Sequence, residues 1–278
     1  MRAELVVDAH AQLGEGPLWD PRTKELLWVD ILAGVVHRYD PRTGADRPFD
    51  VGSYVGAVVP RAAGGYALAV ADGFALASPD GEVTPLVAVG HDENVRMNDG
   101  ACDSRGRFWA GSMRLDEAAG GGCLYRLDPD HSVEMVCEGV TISNGIAWSP
   151  DDTLLYYVDT PEQTIDVFDF DAASGMAMNR RRLVPVEGPG VPDGLVVDAD
   201  GYLWVAFWGG GSVRRYSAEG RLAEVVEVPA SHTTKAAFGG PDLTSLYVTT
   251  AAGGEPHAGG LFVVEPGVAG LPTQTYGG

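Results

Sequence analysis

A run of apolar, aromatic and β-branched residues recurs six times in this chain, as LLWVD at 26–30, YALAV at 66–70, RFWAG at 107–111, LLYYVD at 154–159, YLWVAF at 202–207 and SLYVTT at 245–250. The copies lie about 40 to 48 residues apart, which is the period of a propeller blade. The clearest copy sits in Val191–Ser217, VPDGLVVDADGYLWVAFWGGGSVRRYS, where three strand-like runs are separated by Asp-Gly and a glycine cluster. Residues of this kind suit a pleated surface, and Asp-Gly supplies the positive φ that a hairpin needs.

Each copy is followed by a further strand-like run: VVHRYD, FALASP, GCLYRLD, TIDVFDF, SVRRYS and GLFVVEP. Candidate fourth strands, RPFDVG, EVTPLVAV, SVEMVCE, RRRLVPV and RLAEVVEV, follow in five units. The sixth unit runs into PGVAGLPTQTYGG, whose glycine and proline read as a loose tail. Its missing strand is expected from Ala3–His10, AELVVDAH, at the other end of the sequence. Closing the ring this way removes two exposed sheet edges. The expectation is an all-β, six-bladed propeller of four antiparallel strands per blade, a single domain over 1–278. A pair of β-sandwiches would explain the strands but not their spacing.

Composition narrows the partners. The formal charge is −20, spread along the chain, and such a field repels nucleic acid and anionic membrane surfaces. No apolar run approaches the ~18 residues of a membrane span, and the first ten residues do not read as a signal segment. Cys102, Cys123 and Cys137 cannot all pair and form no Cys-x-x-Cys motif. They read as reduced thiols in a cytoplasmic protein.

In a propeller the innermost strands line one channel. The segments EGPLWD, VGAVVP, DGACDS, NGIAWSP, DGLVVD and TKAAFGG align by their apolar runs. Their first residues, Glu15, Val55, Asp99, Asn144, Asp193 and Thr234, then form a ring at one mouth. Taken singly, Asp-Gly and Asn-Gly are ordinary turn dipeptides, and a turn role is expected for Asp193. Taken together, three carboxylates and an amide at one mouth repel one another unless protonated, hydrated or neutralised by a bound cation. Oxygen-only ligands favour one divalent ion such as Ca²⁺, Mg²⁺, Mn²⁺ or Zn²⁺ without choosing among them.

The segments LGEGPLW (13–19), RMNDG (96–100), ISNGIAWSPDDTLLYYVDT (142–160), PDGLVVDADGYLWVA (192–206) and FGGPDLTSLYVTTA (238–251) resemble the senescence marker protein-30/gluconolactonase family, in the family's order and over nearly the whole chain. That resemblance implies a six-bladed propeller that hydrolyses sugar lactones, such as gluconolactone or a pentonolactone, with one divalent metal. It implies metal ligands at Glu15, Asn144 and Asp193, and substrate contacts from Arg96 and Asn98. The segment RLDEAAGGG (114–122) corresponds to a substrate-contacting loop in relatives, leaving Asp116 and Glu117 as alternatives.

On this reading the metal polarises the carbonyl and lowers the pKa of its bound water. Asp193 doubles as candidate general base, and Asp99 accepts from a substrate hydroxyl or orients its neighbours. Other chemistries find little support: there is no G-x-S-x-G elbow, no H-E-x-x-H pair, and Cys102 falls in an inner strand. His232 is read as an exposed loop residue, and Tyr156, Trp204 and Trp208 as core before sugar platforms. A paraoxonase-like esterase of non-sugar lactones and a non-catalytic metal-binding propeller are the alternatives.

Overall fold

The structure, a computed structural model, describes residues 1–186 and 188–278. Among these the strands form six antiparallel sheets, each running outward from an inner strand. The inner strands are Gly14–Asp20, Val55–Pro60, Val95–Cys102, Ser143–Trp148, Val191–Val197 and Thr233–Gly239. The six-bladed, all-β expectation is borne out. So is the closure: Glu4–Val7 pairs with Leu261–Val264, Glu4 facing Val263 and Leu5 facing Phe262, and completes the sixth blade.

Apolar side chains from both faces of each blade pack against the neighbouring blades, and the inner strands are largely buried, with Leu18, Ala101, Ala147 and Val196 partly exposed. Phe74 of the second blade meets Phe108 of the third edge to face at 5.5 Å between centroids. Trp109 of the third meets Trp148 and Phe170 of the fourth at 5.9 and 6.0 Å. Trp109 and Trp204 each donate their indole N–H to an aspartate, Asp103 and Asp198, at 2.9 Å. The ring nitrogens thereby lose no hydrogen bond on burial.

Two expectations need correction. The fourth strand of the first blade is not one segment but two, Ala45–Asp46 and Phe49–Asp50, both paired with Val35–Asp40. Pro48, with no N–H to donate, interrupts the ladder between them. The final segment is also not loose. Ala199 N donates to Ala269 O, Gly270 N to Leu243 O, Tyr276 N to Pro60 O, Ala62 N to Tyr276 O and Gly277 N to Gly106 O, all at 2.8–2.9 Å. Tyr276 is fully buried, its hydroxyl donating to Asp128 O at 2.9 Å. The segment straps the turns at the end of the propeller opposite the aligned ring, and Leu271–Gln274 help line a channel cavity of about 260 Å³.

Candidate active site

Each inner strand carries a break in its pairing register at the ring position. The shifts fall between Glu15 and Leu18, Val55 and Ala57, Met97 and Gly100, Ser143 and Ile146, Pro192 and Leu195, and Thr233 and Lys235. A bulge of this kind bends a strand and re-aims one side chain. Asp193 and its equivalents are therefore strand residues at bulges, and the expected turn role is wrong.

Glycines that follow ring residues serve close approach instead, as at Gly56 and Gly145. A Cβ on Gly56 would lie 2.2 Å from Asn98 O, and one on Gly145 would lie 2.8 Å from Asp193 O. Only without side chains do neighbouring inner strands come this near.

The bulges bring the predicted residues together. Glu15, Arg96, Asn98, Asp99, Asn144 and Asp193 are all buried at the mouth, each 2–5% exposed. The Arg96 guanidinium donates to Asn98 Oδ1 at 2.6 Å and to Met97 O at 3.0 Å. Asn98 Nδ2 donates to Asn144 Oδ1 at 2.9 Å and to Ser143 O at 2.8 Å. Asn144 Nδ2 donates in turn to Thr160 Oγ1 at 2.8 Å.

The entry of two of these strands into the mouth is held by an aspartate at the end of the second strand. Asp30 accepts from Gln12 N and Leu13 N at 2.8 and 3.0 Å, just before Glu15. Asp159 accepts from Thr141 N and Ile142 N at 3.0 and 2.9 Å, just before Asn144.

Lys235 is the residue that sequence reasoning missed. Five ring residues are followed by glycine, whereas Thr234 is followed by Lys235; that exception in the alignment was the available signal. The lysine is buried, its stem lies over Gly194, and its ammonium pairs with Asp99 Oδ1. Asp99 Oδ1 also accepts from Gly100 N at 2.7 Å. Asp99 is thus neutralised from within the chain, and the unbalanced carboxylates are Glu15 and Asp193. Thr234 turns to its own backbone surroundings, donating to Gly14 O at 2.6 Å, and Val55 adds no polar group.

Electrostatics follow from that arrangement. Burial, then the Asp99 charge, push the Glu15 carboxyl up to about 8 against the pull of Lys235 and Arg96. Burial, then Glu15 and Asp99, raise Asp193 well above the usual carboxylate range. Burial lowers Arg96 to about 10, opposed chiefly by Glu15 and also by Tyr54 and Glu117.

A divalent cation fits this donor set. Asp193 Oδ1 is buried with no hydrogen-bond partner among the described residues, an unmet demand that a cation or a proton satisfies. Among the described residues no three His, Cys, Asp or Glu side chains by themselves form a metal cluster; the fitting set is two carboxylates and the Asn144 amide oxygen.

Of the loop alternatives, Asp116 is engaged by Arg114, whose guanidinium donates to both its oxygens at 2.8 and 2.9 Å, while Glu117 acts on Arg96. His232 is not an exposed loop residue: it is half-buried and stacks on Trp208 with centroids 4.2 Å apart. Tyr156 and Trp204 are core, and Cys102 is buried.

Residues 13–252 match the sequence model of the SMP-30/Gluconolactonase/LRE-like region. Regucalcin of Xenopus laevis is 38% identical over 296 residues, with 100% of this chain and 99% of that protein aligned. A pentonolactonase of Haloferax volcanii is 42% identical over 270 residues, spanning 93% of this chain and 89% of that one. The solved structure of a calcium-binding protein, regucalcin, from Agrobacterium tumefaciens superposes with a TM-score of 0.94 at 29% identity, covering 99% of this chain and 97% of that one. Sequence match, six-bladed architecture and mouth residues agree, and the chain belongs to the SMP-30/gluconolactonase family.

Proposed function

We propose that this protein hydrolyses sugar lactones of five or six carbons to aldonic acids, with one divalent cation held by Glu15, Asn144 and Asp193. The observation that carries the reading is the single buried cluster in which those three oxygen donors meet Arg96 and Asn98 at one mouth. The lactonase named among the relatives supports the substrate class. When bound, the cation supplies Lewis acidity toward the lactone carbonyl and toward water.

The chain's own groups account for the rest. Arg96, a donor with no accepting atom, binds a lactone or hydroxyl oxygen, held in place by Asn98. Glu117, on the loop facing Arg96, accepts from a sugar hydroxyl in preference to Asp116, which Arg114 occupies. The Asp193 carboxylate takes the proton of the attacking water as the water oxygen bonds to the carbonyl carbon. The ring C–O bond then breaks, and the departing oxygen recovers a proton to leave a hydroxy acid. Asp99, tied to Lys235, keeps one oxygen without a partner among the described residues, the one that would face a hydroxyl.

The charge of −20 disfavours nucleic acid and anionic membranes as partners. No helix among the described residues is long and apolar enough to cross a membrane. The cysteines are all unpaired, and we place the activity in the cytoplasm.

The test is acid release from a panel of five- and six-carbon aldonolactones after chelation, with Ca²⁺, Mg²⁺, Mn²⁺ or Zn²⁺ added back. Chelation abolishes turnover and one or more ions restore it, while Asp193→Ala lowers kcat on the order of 10³-fold or more, as expected for loss of a ligand and base. Undiminished turnover by Asp193→Ala, or indifference to chelation, overturns the proposal.

A further inference from the structure

The hydrogen bonds at the mouth form one chain whose direction is forced from both ends. At one end Arg96 can only donate, so Asn98 must offer it Oδ1 and turn its amide hydrogens toward Ser143 O and Asn144. At the other end Thr160 Oγ1 lies 2.9 Å from Pro192 O, an acceptor without hydrogens. The threonine hydrogen is therefore spent on Pro192, and Thr160 can meet Asn144 only as an acceptor. Asn144 must then present Nδ2 to Thr160, at 2.8 Å, and Oδ1 to the mouth. Every link agrees, across three blades.

Thr160 is itself well anchored. It is 9% exposed and opens the short 3₁₀ turn Thr160–Glu162, directly after Asp159. Its N–H donates to Ile142 O at 3.2 Å, while Asp159 holds Thr141 and Ile142 from the other side. Its hydroxyl thus has a fixed place between the Asn144 side chain and the backbone that leads into Asp193.

We propose that Thr160 is a positioning residue that, together with Asn98, holds the Asn144 amide with its oxygen toward the cation. The inference rests on the cation site proposed above. Without the hydroxyl Asn144 Nδ2 loses its buried acceptor and the amide is held from the Asn98 side alone. Its oxygen is then less firmly placed for the cation, and Pro192 O loses its partner beside Asp193. Partners of this kind, one bond removed from a ligand, change metal affinity by about 10- to 100-fold when lost.

The experiment is calorimetric titration of the chelator-treated full chain with Ca²⁺, Mg²⁺, Mn²⁺ and Zn²⁺, for the wild type, Thr160→Val and Thr160→Ser. Thermal midpoints are taken without cation to report the fold. Thr160→Val keeps the midpoint within a few degrees and weakens the ion that the wild type binds best by about 10- to 100-fold. Thr160→Ser, which keeps the hydroxyl, stays within about threefold of wild type. If Thr160→Val does not fold, Thr160→Ala is measured against the same expectation. A folded Val or Ala variant that binds within twofold of wild type, or a Ser variant as weak as Val, overturns the role of Thr160 and leaves the cation site standing. A wild-type chain that binds none of the four ions removes both.

Discussion

Glu15 and Asp193 share a buried mouth in which the nearest lysine is already committed to Asp99, and their carboxyls hold protons that an unfolded chain would release. The sign follows from linkage. Between about 4.5 and about 8 the folded chain retains the Glu15 proton while the unfolded chain has lost it. Stability of the cation-free protein therefore falls as pH rises through that window, by about 1.4 kcal/mol per pH unit for each proton retained. Asp193, shifted the same way, steepens the fall. Asp40 and Asp116, held near 2 by Arg42 and Arg114, titrate below the window. Urea unfolding of the chelated protein should give a higher midpoint at pH 5.5 than at pH 8.5, with Glu15→Gln flattening the difference and saturating divalent cation reversing it. A cation-free midpoint that rises across this range would contradict the proton assignment.

At the scale of the strand, the glycines after the ring residues decide how near the inner strands come. Gly56 is the sharpest case, because an added methyl would meet three backbone atoms of Asn98 within 2.8 Å, and backbone cannot rotate aside. Gly56→Ala should cost about 1–3 kcal/mol by overpacking and also lower kcat/KM by displacing Asn98 from Arg96 and Asn144. Chemical denaturation and steady-state kinetics on the same preparation check both. Wild-type kinetics in a destabilised variant would show that the strand moves without carrying Asn98.

The ring of Glu15, Asp99, Asn144 and Asp193 was legible in the sequence because inner strands repeat and their apolar runs fix the register. The role of the following glycines was misread. Asp-Gly has the same spelling at a hairpin, as at Asp200-Gly201 where Gly201 has φ +82°, and at a bulge such as Asp193-Gly194. Only the neighbouring strand distinguishes them. Lys235 was visible as an exception to the glycine column, yet its partner lies 136 residues away, a distance across which one sequence carries no pairing signal. Thr160 was hidden for a related reason: it follows a recognisable strand end, LLYYVD, but its importance comes from Asn144 and Pro192 on two different blades.

Over the whole molecule, two chain segments hold the ring from opposite sides. Glu4–Val7 completes the last blade, and the strap ending at Gly278 ties the turns of several blades at the end away from the mouth. Its anchor is Tyr276, fully buried and bonded to Asp128 O and His131. Tyr276→Ala should cost about 3 kcal/mol or more, on the order of 6–12 °C in thermal midpoint for a chain of this size, with kcat unchanged because the strap is remote from the mouth. Scanning calorimetry beside a lactone assay tests this; an unaltered midpoint would show that the strap carries no stability.

The closure of the last blade by Glu4–Val7 also sets an order of events during synthesis. Glu15 emerges from the ribosome early, but the first inner strand meets its second neighbour only when Thr234 reaches Gly14 O and Leu261–Val264 takes up the waiting first strand. Joining segments so far apart carries a loop-closure cost that is met only once almost the whole chain is available. Blades can form one after another as local hairpins while the mouth stays open on one side. Chemistry at that mouth is therefore expected only once this closure is made, and a chain cut short before Leu261 should be inert in a lactone assay however much sheet it contains.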